Sequence, residues 1–281
     1  MLSPEQVQAW QRDGYLVLPG FKPAAERDAL VQRAREIVDA FDPSAAAGVF
    51  STVRPERLAD EALLASADQV HCFFEEEAFD AGGALKQPKA LSINKIGHAM
   101  HDLDPVFGSF SRDPRLAAIA ADIGMAEPRL WQSMVIFKQP SIGGEVRWHQ
   151  DATFLVTKPE SVVAFWFALE DATLDNGCLW VQPGGHRGPL RERFGREAPH
   201  SRTLRMEKLD AAPWPDTSSA VPVEVEAGAL VMFDGLLPHY SAPNRSPVSR
   251  MAYTLHLVDG TAAWSPLNWL QRGPELPVRG F

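Results

Sequence analysis

Residues 162–171 read VVAFWFALED, a short run of β-branched and aromatic side chains closed by two acids. Such a run fits a pleated, buried surface and reads as a strand. Four more stretches share its texture: RLWQSMVIFKQ (129–139), CLWVQPG (178–184), PVEVEAGALVMFDG (222–235) and SRMAYTLHLVDG (249–260). Gly, Pro, Asn or Asp bounds each one. Many short strands separated by turns predict a sandwich or closed barrel with helices packed outside it. Those helices lie upstream. Ser3, Pro4 and Gln6 make a capping-box start for a helix that Gly14 ends, and YLVLPGF (15–21) follows as a strand. A second helix is expected from about Ala24 to Ala40, with Leu30, Ala34, Ile37, Val38 and Phe41 at helical spacing. DPRLAAIAADIG (113–124) reads as another, closed by Gly124. No repeat and no linker composition interrupts the chain. The expected organisation is one domain over 1–281, with about 1–125 a largely helical support carrying the first strands and about 126–260 the β core.

The bulk properties narrow the class of partner. The formal charge is −9, which discourages binding to nucleic acid or to an anionic membrane. No basic segment followed by an apolar one opens the chain, no uninterrupted apolar stretch approaches the length of a membrane span, and PVRGF carries no targeting tripeptide. Cys72 and Cys178 are far apart and outside metal-knuckle spacing, so two idle thiols in a reducing compartment are expected rather than a disulfide. These features point to a cytoplasmic location.

VRWHQDATF (146–154) carries the chemistry. In a strand, residues two apart point to the same face, about 7 Å apart along the chain. His149 and Asp151 would then project together while Gln150 points away. A His-x-Asp pair alone is better explained by polar residues hydrogen-bonded at a strand end. A third metal-capable group stands in FDGLLPHYSAPNRSP (233–247), where His239 follows an apolar strand at a turn. Two histidines and one carboxylate form the facial triad of non-haem Fe(II) oxygenases, which leaves coordination positions open. Arg250 follows His239 and opens the next strand, where a fixed guanidinium could grip a carboxylate through two parallel hydrogen bonds.

With those residues in view, the sequence resembles the phytanoyl-CoA dioxygenase family of Fe(II)- and 2-oxoglutarate-dependent oxygenases. The likeness runs through INKIGHAMHDLDPVF (93–107), QSMVIFKQPSIGGEVRWHQDATFL (132–155), EDATLDNGCLWVQPGGH (170–186) and AYTLHLVDGTAAWSPLNWLQ (252–271), and covers about two-thirds of the chain. The resemblance implies a double-stranded β-helix of the jelly-roll type with helices buttressing one sheet. It implies His149, Asp151 and His239 as iron ligands, and Arg250 as the residue binding the distal carboxylate of 2-oxoglutarate. Lys95, Met134, Trp166 and Ser241 are implied as further cosubstrate contacts; Met134 and Trp166 would otherwise be ordinary core residues and Lys95 a solvated charge. The implied activity is that of a dioxygenase using Fe(II), 2-oxoglutarate and O₂ to hydroxylate a small molecule, with release of succinate and CO₂.

Other features are left to the structure. RGPLRERFGREAPHSRTLR (187–205) holds six arginines against two glutamates, which suggests a loop facing an anionic substrate group, although a solvated loop has the same composition. Asn176-Gly177 and Pro183-Gly184-Gly185 read as structural turns, and His186 is expected to hydrogen-bond rather than to react. His71, His98, His101, His200 and His256 have no partner at ligand spacing. Two other functions fit the triad: a jelly-roll metal protein catalysing hydrolysis or isomerisation, and a non-catalytic sensor of 2-oxoglutarate. Binding of a dicarboxylate excludes the first, and conversion of 2-oxoglutarate to succinate excludes the second.

Overall fold

The computed structural model describes residues 1–43, 48–49 and 61–281. The chain opens with helix α1 (Pro4–Asp13), where the Ser3 hydroxyl accepts the Gln6 N–H and the Gln6 side chain accepts the Ser3 N–H, as the capping pattern predicts. Gly14 ends it at φ 77°, and a Cβ there would fall 2.3 Å from Nδ1 of His186, so both conformation and space require glycine. Strand β1 (Tyr15–Leu18) and helix α2 (Ala24–Ala40) follow, and α2 buries Leu30, Ala34 and Val38 along one stripe. The segment after Asp113 is helical over Pro114–Asp122, also as expected.

Eight strands form the larger sheet: β1, β2 (Gly48–Val49), β3 (Val70–Phe74), β4 (Ile93–His98), β5 (Pro128–Lys138), β8 (Val163–Ala168), β13 (Leu230–Asp234) and β15 (Arg250–Asp259). Their order is β1-β13-β8-β15-β5-β4-β3-β2. Four short strands form a second sheet in the order β12-β9-β14-β6: β6 (Val146–His149), β9 (Leu179–Val181), β12 (Val221–Val223) and β14 (His239–Ser241). A hairpin of β10 (Glu192–Arg196) and β11 (Leu204–Lys208), and a pair of β7 (Thr157–Lys158) with β16 (Ala263–Trp264), complete the strands described. The fold is mainly antiparallel β with flanking helices, the jelly-roll double-stranded β-helix. One expected strand divides: in PVEVEAGALVMFDG the first residues join the small sheet as β12 and the last join the large sheet as β13. The chain turns between them at Gly228, φ 96°.

Strand alternation sorts the two faces of the large sheet. Phe165 and Phe167 of β8, Leu230 and Met232 of β13, and Tyr253 and Leu255 of β15 pack in one cluster with Leu30, Phe107, Phe110 and Leu116 of the helices. Tyr253 is fully buried there, its hydroxyl 2.7 Å from the Ser111 hydroxyl and its ring against those of Phe107 and Phe110. Burying an aromatic ring of this kind stabilises by about 1.5–3 kcal/mol. The opposite face turns toward the small sheet, where Ala164, Trp166, Val231, Phe233 and Ala252 meet Leu179, Val181 and Val223. Along β15 this inner face carries Arg250, Ala252, Thr254 and His256, which stand directly across from Lys138, Ile136, Met134 and Gln132 of β5. Lys95 of β4 lies across from Ile136. Polar and charged residues therefore run along the β15–β5–β4 part of an otherwise apolar interior.

Candidate active site

His149 is the last residue of β6, and Gln150 continues the extended backbone (φ −119°, ψ 138°) into a 3₁₀ turn over Asp151–Thr153. Asp151 is thus just past the strand rather than within it. The buried Gln150 side chain fixes that corner, donating to the carbonyls of Pro189 and Leu236 and accepting the Arg191 N–H. His239 does not sit on a turn as expected. It opens β14 and pairs directly with His149 of the neighbouring strand. The ligand-capable atoms of His149, Asp151 and His239 all lie within 4.8 Å of one another. Asp151 Oδ1 is 3.5 Å from Nε2 of His149 and 3.6 Å from Nε2 of His239.

Hydrogen bonds orient both imidazoles. Nδ1 of His149 lies 2.8 Å from the Arg147 carbonyl and Nδ1 of His239 lies 3.0 Å from the Leu237 carbonyl. A carbonyl only accepts, so each Nδ1 carries the proton and each Nε2 lone pair is directed at the other ligands. Burial, with His149 beside it, pushes the His239 imidazole down to about 4 and keeps it neutral. Burial disfavours charge on Asp151, but His256, which donates to Oδ2, outweighs it, and the carboxyl is held well below its usual range. Two neutral imidazoles and one carboxylate are a donor set suited to a divalent first-row metal.

Arg250 begins β15 and is only 2% exposed. Its Nη2 donates to the Ser241 hydroxyl at 3.3 Å, and Ser241 in turn donates to the Gly177 carbonyl at 2.8 Å. The Trp166 ring lies 5.4 Å from the guanidinium carbon. Burial lowers the guanidinium to about 10, so it stays cationic at neutral pH. Its Nε and Nη1 have no hydrogen-bond partner among the described residues. Buried donors without partners are destabilising by about 1–3 kcal/mol each. A buried cation with unmatched donors and an adjacent hydroxyl fits one carboxylate of a small acid. Lys95, its Nζ 3.9 Å from Met134 Sδ, is another buried basic group of this region; burial lowers it to about 7 against the opposing pull of Glu75. Those observations fit 2-oxoglutarate beside a metal ion.

A cavity of about 150 Å³ is lined on one side by Lys95, Met134, His149, Asp151 and His256, and on the other largely by apolar side chains such as Phe154, Phe194, Met206 and Trp269. The eight site residues singled out in the sequence fall into three groups: the His149–Asp151–His239 cluster, the Arg250–Ser241–Trp166 cluster, and Lys95 with Met134; Arg250 lines a second cavity that shares Phe137 and Lys138 with the first. Three buried polar residues escaped sequence reasoning. His256 lies 3.0 Å from Asp151 Oδ2. Lys138 stands across from Arg250 and donates to the carbonyls of Gly144, Ser241 and Ala242. Glu75 accepts from Asn94 and from the Gly144 N–H. Period-two spacing from Arg250 along β15 could have found His256; nothing in local sequence marks the other two.

In the arginine-rich stretch, five of the six guanidinium groups have partners of their own. Arg196 is spent on the carbonyls of Ser201, Asn268 and Trp269, Arg191 on the Pro213 carbonyl and the Trp214 ring, and Arg187 on the Arg12 carbonyl. Arg193 and Arg202 pair with Glu207 and Glu61. The stretch reaches the cavity through Glu192 and Phe194 instead. His186 packs against Gly14, and its Nδ1 has no hydrogen-bond partner among the described residues, contrary to the expected role. His98 and His101 hydrogen-bond to the hydroxyls of Ser66 and Ser133, and His98 also lines the cavity. Cys72 and Cys178 are free and buried.

A sequence model of the family described as "Phytanoyl-CoA dioxygenase (PhyH)" matches residues 10–252. A rice (Oryza sativa subsp. japonica) protein, "Phytanoyl-CoA dioxygenase 1", is 45% identical over 272 residues, covering 96% of this chain and 94% of its own. The bovine (Bos taurus) "Phytanoyl-CoA dioxygenase domain-containing protein 1" is 45% identical over 283 residues, covering 98% of this chain and 97% of its own. Among solved structures, the α-ketoglutarate-dependent carbocyclase SnoK of nogalamycin biosynthesis superposes with a TM-score of 0.65 at 18% identity, covering 99% of this chain and 96% of its own. EctD from S. alaskensis, solved with 2-oxoglutarate and 5-hydroxyectoine, gives 0.63 at 22% identity, covering 98% and 83%. At these identities the structural likeness is one of fold.

Proposed function

This chain belongs to the phytanoyl-CoA dioxygenase family and is an Fe(II)- and 2-oxoglutarate-dependent dioxygenase, and we propose that His149, Asp151 and His239 hold its iron while Arg250 anchors its cosubstrate. The observation that carries the assignment is the meeting of three ligand atoms within 4.8 Å, one of them on the same short strand as Ser241, whose hydroxyl meets a buried, under-bonded guanidinium. Iron with 2-oxoglutarate and O₂ supplies the oxidising power: succinate and CO₂ leave, and a substrate C–H becomes C–OH. The protein's own part is placement. The backbone carbonyls of Arg147 and Leu237 hold the two imidazoles with Nε2 inward. Arg250 presents its unmatched donors to the distal carboxylate, Ser241 steadies the guanidinium by accepting from Nη2, Trp166 bounds that pocket, and Lys95 beside Met134 adds a further cation. A dicarboxylate would satisfy the donors that Arg250 leaves unmatched. Hydrolysis or isomerisation at the same metal would give those cations no task.

The substrate is a small molecule reached through the apolar cavity. An anionic group on it would be met by Arg147, an exposed residue lining the cavity for which the described residues supply no ion pair. No helix among the described residues is long and apolar enough to cross a membrane. Two unpaired buried thiols support a reducing, cytoplasmic setting. The test is succinate formation from 2-oxoglutarate with added Fe(II) and O₂, in the presence and absence of candidate substrates. Turnover that needs Fe(II) and is lost in Asp151→Ala and His239→Ala supports the assignment, and turnover that survives either substitution contradicts it.

A further inference from the structure

His256 stands beside the three proposed ligands without being one of them. It lies on the inner face of β15 between Gln132 of β5 and Ala164 of β8, and is 3% exposed. A residue in the middle of a central strand has little freedom to turn away. Its Nε2 is 3.0 Å from Oδ2 of Asp151, whereas Oδ1 is the oxygen that faces His149 and His239. The two oxygens of one carboxylate are therefore divided between two tasks. An ionised carboxylate only accepts, so Nε2 of His256 carries the proton in this contact. Nδ1 of the same ring is buried and has no partner among the described residues, so Asp151 is the ring's one hydrogen-bonding contact.

We propose that His256 is a positioning residue: by occupying Oδ2 it confines Asp151 to a single oxygen for the metal and so preserves the coordination position that the cosubstrate needs. The proposal rests on the assignment of His149, Asp151 and His239 as ligands. A carboxylate released from His256 can swing both oxygens toward a cation. Such chelation holds the metal as well or better, but it fills one of the open positions on which the facial-triad arrangement depends. The signature is thus a divergence, with metal affinity kept and 2-oxoglutarate affinity lost. General weakening of the fold would lower both together.

The experiment compares wild type, His256→Gln and His256→Leu, all intact and anaerobic. Fe(II) affinity is measured first, and 2-oxoglutarate is then titrated into the Fe(II)-loaded proteins while their charge-transfer absorption is followed. Gln retains an N–H donor at similar reach, and Leu fills the space without one. Expected are Fe(II) affinity in His256→Leu equal to wild type or tighter, a 2-oxoglutarate Kd raised about 10-fold or more, and a His256→Gln value within about 3-fold of wild type. Unchanged 2-oxoglutarate affinity in His256→Leu, or a joint fall in Fe(II) and 2-oxoglutarate affinity that Gln does not rescue, overturns the proposal. Should the Leu variant fail to fold, long-range ¹H–¹⁵N spectra of Zn(II)-loaded wild type decide. A His256 ring protonated at Nε2 supports the positioning role, and a bare Nε2 overturns it. A wild-type protein that takes up no metal would instead sink the ligand assignment on which the proposal rests.

Discussion

Replacing Arg250 with leucine separates its service to the cosubstrate from its service to the fold. The guanidinium is 2% exposed, with Nε and Nη1 unmatched and one 3.3 Å bond to Ser241. Without cosubstrate it is a buried charge held at some expense to stability, since each unmatched donor is destabilising by about 1–3 kcal/mol. With cosubstrate, truncating one partner of a buried, hydrogen-bonded charge pair costs about 2–5 kcal/mol, a rise in Kd of about 30-fold to several thousand-fold. Arg250→Leu should therefore bind Fe(II) like wild type, unfold at the same temperature or higher when cosubstrate is absent, and lose most of its stabilisation by 2-oxoglutarate. At a concentration of 100 times the wild-type Kd, that stabilisation is about 2.7 kcal/mol for wild type and about 0.9 kcal/mol or less for the variant. Thermal unfolding with and without 2-oxoglutarate, beside calorimetric titration, reads both quantities. Equal cosubstrate affinity in variant and wild type would refute the anchoring role, and marked destabilisation of the cosubstrate-free variant would refute the charge accounting behind it.

Three further outcomes are expected. Asp151→Ala abolishes succinate formation while leaving the far-ultraviolet circular dichroism unchanged, because the side chain projects from a turn toward the two histidines and not into the apolar core; retained turnover counts against it. Cosubstrate affinity falls as pH rises through about 7, since the Lys95 ammonium is lost there and Glu75, pushed up to about 7 by burial, gains its charge in the same range. Lys95→Met should flatten that profile in binding titrations, and an unaltered pH dependence would show that another group is responsible. Arg147→Ala should raise the KM of an anionic substrate by about 10-fold, in line with loss of a partly exposed charged hydrogen bond, and leave substrate-free conversion of 2-oxoglutarate unchanged; an equal effect on both rates would place Arg147 in the metal site instead.

The legible parts of the molecule were those governed by local chemistry. The capping box at Ser3, the stripe Leu30-Ala34-Val38 and the β-branched and aromatic runs became helices and strands close to where they were expected, because each signal is satisfied by neighbours in sequence. His149 and Asp151 were legible as a pair through their spacing, although the chain leaves the strand before Asp151; the extended Gln150 preserves the direction that strand geometry would have given. What could not be read was pairing at a distance. That PVEVEAGALVMFDG feeds two sheets depends on the turn at Gly228 meeting a partner in each. Lys138 acquires meaning only from the register that lays it against Arg250, whereas His256 shares a strand face with Arg250 and could have been found by counting in twos. Composition alone left the arginines of 187–205 open between an anion site and a solvated loop; most of them meet backbone carbonyls and nearby carboxylates.

The central claim is that one iron and one 2-oxoglutarate are held side by side in this interior. Anaerobic addition of Fe(II) and then 2-oxoglutarate to metal-free protein tests it most directly. A metal-to-ligand charge-transfer band that appears only when both are present, and that is absent from Asp151→Ala, is the predicted result. A wild-type protein that develops no such band, or an Asp151→Ala protein that develops it undiminished, would contradict the account.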